Sequence, residues 1–231
     1  MIKINNGKEI DKYISKYEMN EIFTKDMRPF MELLFYKKNE HIVNESEEIN
    51  YLIFLVDGKA KVYVTLSNGK SLLLCFYYAF MVLGDLEMID SMHAASNVQA
   101  IEDTYCIGIS FENVRTYLLN DVKFLRFICS SLGNKLYRCS KNSSINLLYS
   151  LENRLASYII TTGERKDNTS QARIVFDENL SEIAELLGSS YRHLLRTLNA
   201  LCTKGVIRKI NNYYEVIDEV ILKKLSADLY Q

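Results

Sequence analysis

The spacing of hydrophobic and polar residues divides the chain into successive stretches. Met1 to about Leu33 reads as short helices, with the only proline, Pro29, near their end. From Leu34 to about Ile109 the pattern becomes that of short strands. YLIFLV (Tyr51–Val56) meets a turn at Asp57-Gly58, and KAKVYVTL (Lys59–Leu66) alternates polar with apolar. Ser67-Asn68-Gly69 predicts the next turn, because Asn and Gly tolerate positive φ. SLLLCFYY follows, then Gly84-Asp85, and Asn97–Ser110 supplies further strands. Short strands at this spacing, punctuated by turn signals, predict a sandwich or barrel.

From about Phe111 to Ile160 the pattern is helical and free of proline. Val122, Leu125, Cys129, Leu132, Leu136 and Cys139 alternate steps of three and four, a heptad seam along which two helices pack. Gly133 falls within the seam, which dissolves into SKNSS (Ser140–Ser144). A helix lying on its own domain is the alternative. A long helix placed between a β module and a helical module suits a dimer spine, so a dimer is expected.

Further on, LSEIAELLGSSYRHLLRTLNAL (Leu180–Leu201) holds two sets of apolar residues at helical spacing. One set is Ile183, Leu186 and Leu187; the other is Leu194, Leu195, Leu198 and Leu201. Gly188 lies between them, where glycine ends a helix in a left-handed turn. Ser189 or Ser190 can then cap the following helix. Two amphipathic helices joined so closely must fold back or cross, and a crossing pair is the pattern of a helix-turn-helix. Val206–Ile210 and Tyr213–Ile217 are β-rich runs around Asn211-Asn212, a pair consistent with a type I′ hairpin. Such a hairpin after a helix-turn-helix makes a winged helix.

Composition narrows the chemistry. The chain has 231 residues, 48% of them hydrophobic and 25% charged, with a formal net charge of −1. It can build a real core, and it is not uniformly basic. The longest apolar run, Leu72–Leu83, is shorter than the about 20 residues that span a bilayer. MIKINNGKEI lacks the apolar core of a signal peptide, so a soluble cytoplasmic protein is expected, with no membrane partner. The five cysteines (Cys75, Cys106, Cys129, Cys139 and Cys202) show no CxxC spacing and no cluster with histidine. They read as small hydrophobes, with redox sensing as the minor alternative. No grouped metal ligands, nucleophile–base pair or Gly-rich phosphate loop is visible, so no enzyme is expected.

The charge distribution is one-sided. Asp177, Glu178, Glu182 and Glu185 precede or occupy the first helix of the pair. From Ser189 to Ile210 the charged residues are Arg192, Arg196, Lys204, Arg208 and Lys209, with no Asp or Glu. A solvated face normally mixes signs, whereas a basic helix with a basic wing matches an electrostatic footprint for phosphate. Arg192 and Arg196 are four apart and share a face opposite the leucines. Arginine can bond guanine edges bidentately, and a helix-start Ser or N–H can hold phosphate. The candidate DNA contacts are therefore Ser189, Ser190, Tyr191, Arg192, His193, Arg196, Lys204 and Arg208.

The order of parts resembles, over nearly the whole chain, the bacterial transcription regulators of the cAMP receptor protein/FNR (CRP/FNR) type. EEINYLIFLVDGKAKVYVTLSNGKSLLL resembles the family's early β-roll strands, with Gly58 and Gly69 at its turn glycines. LGDLEMID resembles its Gly-Glu-Leu phosphate-binding segment. Phe111–Leu119 and the helix from Asp121 resemble the approach to the dimer helix and that helix itself. The resemblance implies an α+β fold. A cyclic-nucleotide-binding-like β-roll (a double-stranded β-helix or jelly roll) would occupy residues 1–119, a dimerisation helix 120–149 and a winged helix-turn-helix 150–231. The helix would pair through Leu125, Cys129, Leu132, Leu136 and Cys139. The function implied is that of a dimeric, sequence-specific transcription regulator. Its partners would be a double-stranded DNA operator, a second copy, RNA polymerase and a small-molecule effector. The effector pocket would draw on Gly84, Asp85, Leu86, Ala94, Ala95 and Ser96. A binding module whose winged helix contacts protein rather than DNA is the alternative, and the basic recognition segment favours DNA.

Departures from the family pattern qualify this. Asp85 stands where cAMP-binding members carry a ribose-holding glutamate, and Ala94 or Ala95 where they carry the phosphate-pairing arginine. Without that cation a buried phosphate loses its main compensating charge, so cAMP is not the expected effector. The FNR-type N-terminal cysteine cluster is missing, which argues against an iron–sulfur cluster. The family's Arg-Glu-x-x-x-Arg recognition pattern becomes Tyr191-Arg192-His193-Leu194-Leu195-Arg196. Arg192 thus replaces a carboxylate that would accept from cytosine, and the operator half-site should differ accordingly.

Overall fold

A computed structural model describes residues 1–90, 93–168, 171–227 and 229–230. The chain forms two compact units, residues 1–64 with 76–139 and residues 65–75 with 140–231.

The first unit opens differently from the expectation of helix from Met1. Ile2–Ile4 is a strand (β1), followed by helix α1 (Gly7–Lys16) and two 3-10 turns, Met19–Ile22 and Arg28–Phe30. Strand β2 then begins at Met31, ahead of the expected switch at Leu34. The cause is tertiary: Ile2, Lys3 and Ile4 pair antiparallel with Phe35, Leu34 and Leu33, giving three residues the backbone partners a lone turn of helix would lack. Helix α1 is capped by Asn6, whose side chain accepts from the Glu9 N–H, and it buries Ile10, Tyr13 and Ile14.

Strands β3 (His41–Val43), β4 (Tyr51–Asp57), β5 (Ala60–Thr65), β6 (Ser71–Tyr77) and β7 (Val82–Leu83) follow. After them come the short helix α2 (Glu87–Asp90), β8 (Asn97–Ala100), β9 (Thr104–Ser110), helix α3 (Phe111–Tyr117) and the long helix α4 (Val122–Leu148). One sheet runs β1-β2-β9-β4-β7, and β3, β8 and β5 pair antiparallel in a second. The predicted turns at Gly58, Gly69 and Gly84 all have positive φ. Gly84 is the most constrained: φ is +83°, and a Cβ would lie 2.5 Å from the Tyr51 carbonyl oxygen.

The core of this unit joins Leu33, Leu52, Phe54, Ile107 and Ile109 of the sheet to Met19, Phe23 and Met27 of the N-terminal turns. Phe124 and Ile128 of α4 complete it. Asp121 starts α4 by accepting from the N–H groups of Lys123 and Phe124 and from both the N–H and the hydroxyl of Thr24.

In the second unit α4 runs on through Ser140–Ser144 to Leu148. Ser150 caps α5 (Leu151–Thr162), and β10 (Glu164–Asn168), β11 (Gln171–Phe176), α6 (Leu180–Leu186) and α7 (Tyr191–Thr203) follow. The chain ends with β12 (Ile207–Ile210), β13 (Tyr213–Val216) and α8 (Glu219–Ser226). The sheet order β10-β11-β13-β12 shows that the final hairpin is joined by an earlier one that the pattern did not reveal. Its first strand, ERKDN, is polar throughout and carries no alternation. Asn211 has φ of 48°, but Asn212 does not share the positive φ, so the wing turn is not the expected type I′. None of the described helices is long and apolar enough to cross a membrane.

Candidate functional site

The helix pair is built by local chemistry. The Asn179 side chain accepts from the Ser181 N–H to start α6, whose Ile183, Ala184 and Leu186 are buried. The helix ends in a Schellman turn: the Gly188 N–H donates to the Glu185 carbonyl at 2.8 Å and the Ser189 N–H to the Ala184 carbonyl at 2.7 Å. Gly188 takes φ of +59° there, as its placement in the sequence predicts. Of the two candidate caps, Ser190 caps α7, accepting from the His193 N–H at 3.2 Å.

Leu194, Thr197, Leu198 and Leu201 of α7 are buried, while Tyr191, Arg192, His193 and Arg196 are exposed. Neither Arg192 nor Arg196 has an ion-pair or hydrogen-bond partner among the described residues. The other two candidate cations differ. Lys204 Nζ lies 2.5 Å from Glu152 Oε1, and Arg208 Nη2 lies 2.7 Å from Glu215 Oε2. Glu215 also meets Arg173 Nη1 at 3.2 Å. The Arg208 hydrogen bond, with help from Arg173 and against the effect of burial, holds the Glu215 carboxyl below its usual range. Glu152 and Glu215 lie outside the all-basic run in sequence, so only folding reveals which of its charges they neutralise.

The second cluster surrounds the turn before α2. Gly84, Asp85, Leu86, Ala95 and Ser96 line a cavity of about 90 Å³ together with Tyr77, Glu87 and Lys135. Ala94 does not: its backbone is bonded to Glu47 and Ser46, and its side chain is buried. Ala95 is therefore the lining residue of the pair left open by the sequence. Ser91 and Met92, at the head of that segment, lie outside the described residues. Lys135 reaches in from α4, with Nζ at 2.6 and 2.7 Å from the two Asp85 carboxylate oxygens. Nothing in the sequence marked Lys135, which stands 50 residues from its partner. Among the described residues no group of three His, Cys, Asp or Glu is placed to hold a metal.

The third feature is the seam on α4. Phe124 and Ile128 bury one face of the helix in the core. Val122 (60%), Leu125 (37%) and Leu136 (73%) are exposed, as are Cys129 and Cys139. Leu132 is partly buried against the core. The helix thus has two apolar faces, one of them uncovered in the single chain.

A β-roll unit, a long two-faced helix and a winged helix-turn-helix together define a transcription regulator with a cyclic-nucleotide-binding-type domain. Family comparison agrees: the cyclic nucleotide-binding domain model matches residues 33–121, and the Crp-like helix-turn-helix domain model matches residues 153–225. The chain belongs to the CRP/FNR family of transcription regulators. It is 32% identical over 216 residues to Regulatory protein YeiL of Escherichia coli O157:H7, covering 94% of this chain and 95% of that one. It is 23% identical over 198 residues to the Cyclic AMP receptor protein of Thermus thermophilus, covering 84% and 88%. A crystal structure of a putative CRP/FNR regulator from Eubacterium rectale superposes with a TM-score of 0.71 at 15% identity, covering 95% of this chain and 94% of that one. At that identity the superposition establishes the fold alone. Family and fold are those of transcription regulators, not of enzymes.

Proposed function

We propose that the chain is a homodimeric, sequence-specific DNA-binding regulator that reads its operator with α7. Residues 1–119 serve as the sensor, 120–149 as the dimerisation helix and 150–231 as the DNA-binding domain. The observation that carries this reading is the contrast within the basic run. Arg192 and Arg196 stand exposed and unpartnered on one face of α7, whereas Lys204 and Arg208 are committed to internal carboxylates. Outward guanidinium groups at the start of a capped helix suit base edges and phosphate in the major groove. A parallel pair joined along α4 presents two such helices to a near-palindromic site.

The β-roll cavity supports a regulator whose effector is not cAMP. A volume of about 90 Å³ falls well short of the roughly 300 Å³ at which ligand pockets begin. Among the described residues its one basic lining residue, Lys135, is already bound to Asp85, and Glu87 adds a second carboxylate. A phosphate entering this cavity meets more negative than positive charge. Selection of an operator from random duplexes, followed by binding of the Arg192→Ala and Arg196→Ala proteins, tests the DNA reading. Parental affinity in both variants would refute it.

A further inference from the structure

Three of the five cysteines are withdrawn from solvent. Cys106 is buried, and that burial pushes its thiol pKa well above the usual range, while Cys75 and Cys202 are half-buried. The exposed pair, Cys129 and Cys139, are the two that fall on the α4 seam. Val122, Cys129 and Leu136 form one row of the heptad, and Leu125, Leu132 and Cys139 the other. The neighbours of each cysteine along this stripe are apolar, and Val122, Leu125 and Leu136 are exposed in the single chain.

We infer that oxidation joins two copies of the chain by disulfides between equivalent seam cysteines, Cys129 to Cys129 and Cys139 to Cys139. The inference rests on the proposed parallel pairing along α4. Two-fold symmetry then sets every seam residue opposite its own counterpart. Packed helices have axes about 8–10 Å apart, and each Cα lies about 2.3 Å from its axis. Facing Cα atoms can consequently approach to roughly 3.4–5.4 Å, which overlaps the about 4.4–6.8 Å that a disulfide bridges. In each linkage two thiols lose one proton and one electron apiece and a single S–S bond forms. The two electrons reduce an organic disulfide, such as oxidised glutathione, to two thiols.

The linkage changes what dilution does. A reduced dimer separates into single chains as its concentration falls, and its DNA occupancy falls with it. An oxidised dimer does not separate, so operator binding at low protein concentration rises with oxidation and returns to its reduced level with added thiol.

Sedimentation of the reduced full chain at micromolar concentration comes first, and a dimer is expected. A monomer there would overturn the pairing on which the inference depends. Oxidised glutathione is then added and the protein run on a non-reducing gel, where a band at twice the chain mass should appear and revert with dithiothreitol. Peptide mass spectrometry should find at least one of the two symmetric linkages. The C129S/C139S protein should remain a dimer in sedimentation yet run as a single chain on the gel, whereas C75S/C202S should still cross-link. The inference is overturned if a protein that sediments as a dimer fails to cross-link. It is equally overturned by cross-linking of C129S/C139S, or by Cys129-to-Cys139 as the sole linkage between chains.

Discussion

Lys135 Nζ sits 2.6 and 2.7 Å from the two carboxylate oxygens of Asp85, whose side chain is only 2% exposed. The ammonium also lies over the Tyr77 ring, 5.5 Å from its centroid. Removing Lys135 leaves an uncompensated buried carboxylate, and breaking such a pair typically costs about 3 kcal/mol or more. Lys135→Met should therefore lower the urea midpoint clearly. Asp85→Asn with Lys135→Met, which removes both charges, should recover much of the loss. Additive losses in this double-mutant cycle would show that the two groups are not energetically coupled.

Cyclic AMP should not bind the parent protein tightly. Ala95 lines the cavity and offers no charge, and among the described residues the only cation there, Lys135, is held by Asp85. Titration calorimetry of the full chain with cAMP should give no submicromolar dissociation constant. Such a constant would mean that the cavity opens and that another group supplies the missing positive charge.

Acid should weaken the junction between the N-terminal turns and α4. Burial alone would raise the Asp121 pKa, but hydrogen bonds from Thr24 and from the Phe124 and Lys123 N–H groups overcome it and hold the carboxyl below its usual value. A folded pKa below the unfolded one means stability present above the unfolded value, near 4, and lost as pH falls through the folded value. Asp121→Asn should accordingly flatten the fall in urea midpoint between pH 5 and pH 2, an interval in which the parent loses this contribution. At neutral pH the substitution should cost about 1–3 kcal/mol, because the amide nitrogen that replaces Oδ2 cannot accept from the Thr24 N–H. An unchanged acid limb in the variant would remove Asp121 from the account.

Much of this architecture was legible because short-range chemistry dictates it. Gly188 and Ser190 terminate and start helices for reasons contained in a few neighbouring residues, and their placement needed no tertiary information. The strand at Ile2–Ile4 was not legible, because its stability comes from pairing with Leu33–Phe35 across the intervening helix. The hairpin at Glu164–Phe176 was hidden for a similar reason: its polar first strand carries no hydrophobic alternation and is placed by backbone pairing with Ala172–Val175. The candidate sites divide the same way. Exposure of Arg192 and Arg196 follows from helical period, since leucines fill the opposite face. The partners of Lys204, Arg208 and Asp85 follow only from folding, because Glu152, Glu215 and Lys135 are brought in from other elements.

The seam permits a test of dimerisation that spares the fold. Leu136 is 73% exposed in the single chain, whereas Leu132 also packs against the core of its own unit. Leu136→Glu should leave the folded chain intact, since exposed substitutions usually change stability by less than about 0.5 kcal/mol. In a dimer the same carboxylate would be buried against its counterpart, with both desolvation and like-charge repulsion opposing association. Sedimentation should show a dimeric parent and a monomeric variant with unchanged circular dichroism. A parent that is monomeric at micromolar concentration would leave the exposed stripe without the second copy proposed for it.

The basic run of the winged helix makes opposite predictions for its free and its paired cations. If Arg192 or Arg196 bonds a base edge bidentately, its replacement by alanine should cost about 1–3 kcal/mol on the operator and less on a scrambled duplex. Lys204 is half-exposed but neutralised by Glu152, so Lys204→Ala should weaken all duplexes alike and only slightly. The decisive variant is Glu152→Gln. It leaves a neutral side chain of nearly the same shape and releases the Lys204 ammonium toward solvent and phosphate. One additional phosphate contact steepens the slope of log affinity against log salt by about 0.9. Glu152→Gln should therefore raise affinity for operator and scrambled duplex together, most at low salt, without improving the ratio between them. Lys204→Ala in the Glu152→Gln background should return both slopes to the parental value. A salt slope unchanged by Glu152→Gln would mean that Lys204 does not face the phosphate backbone, and the footprint of the wing would have to be redrawn around Arg192 and Arg196 alone.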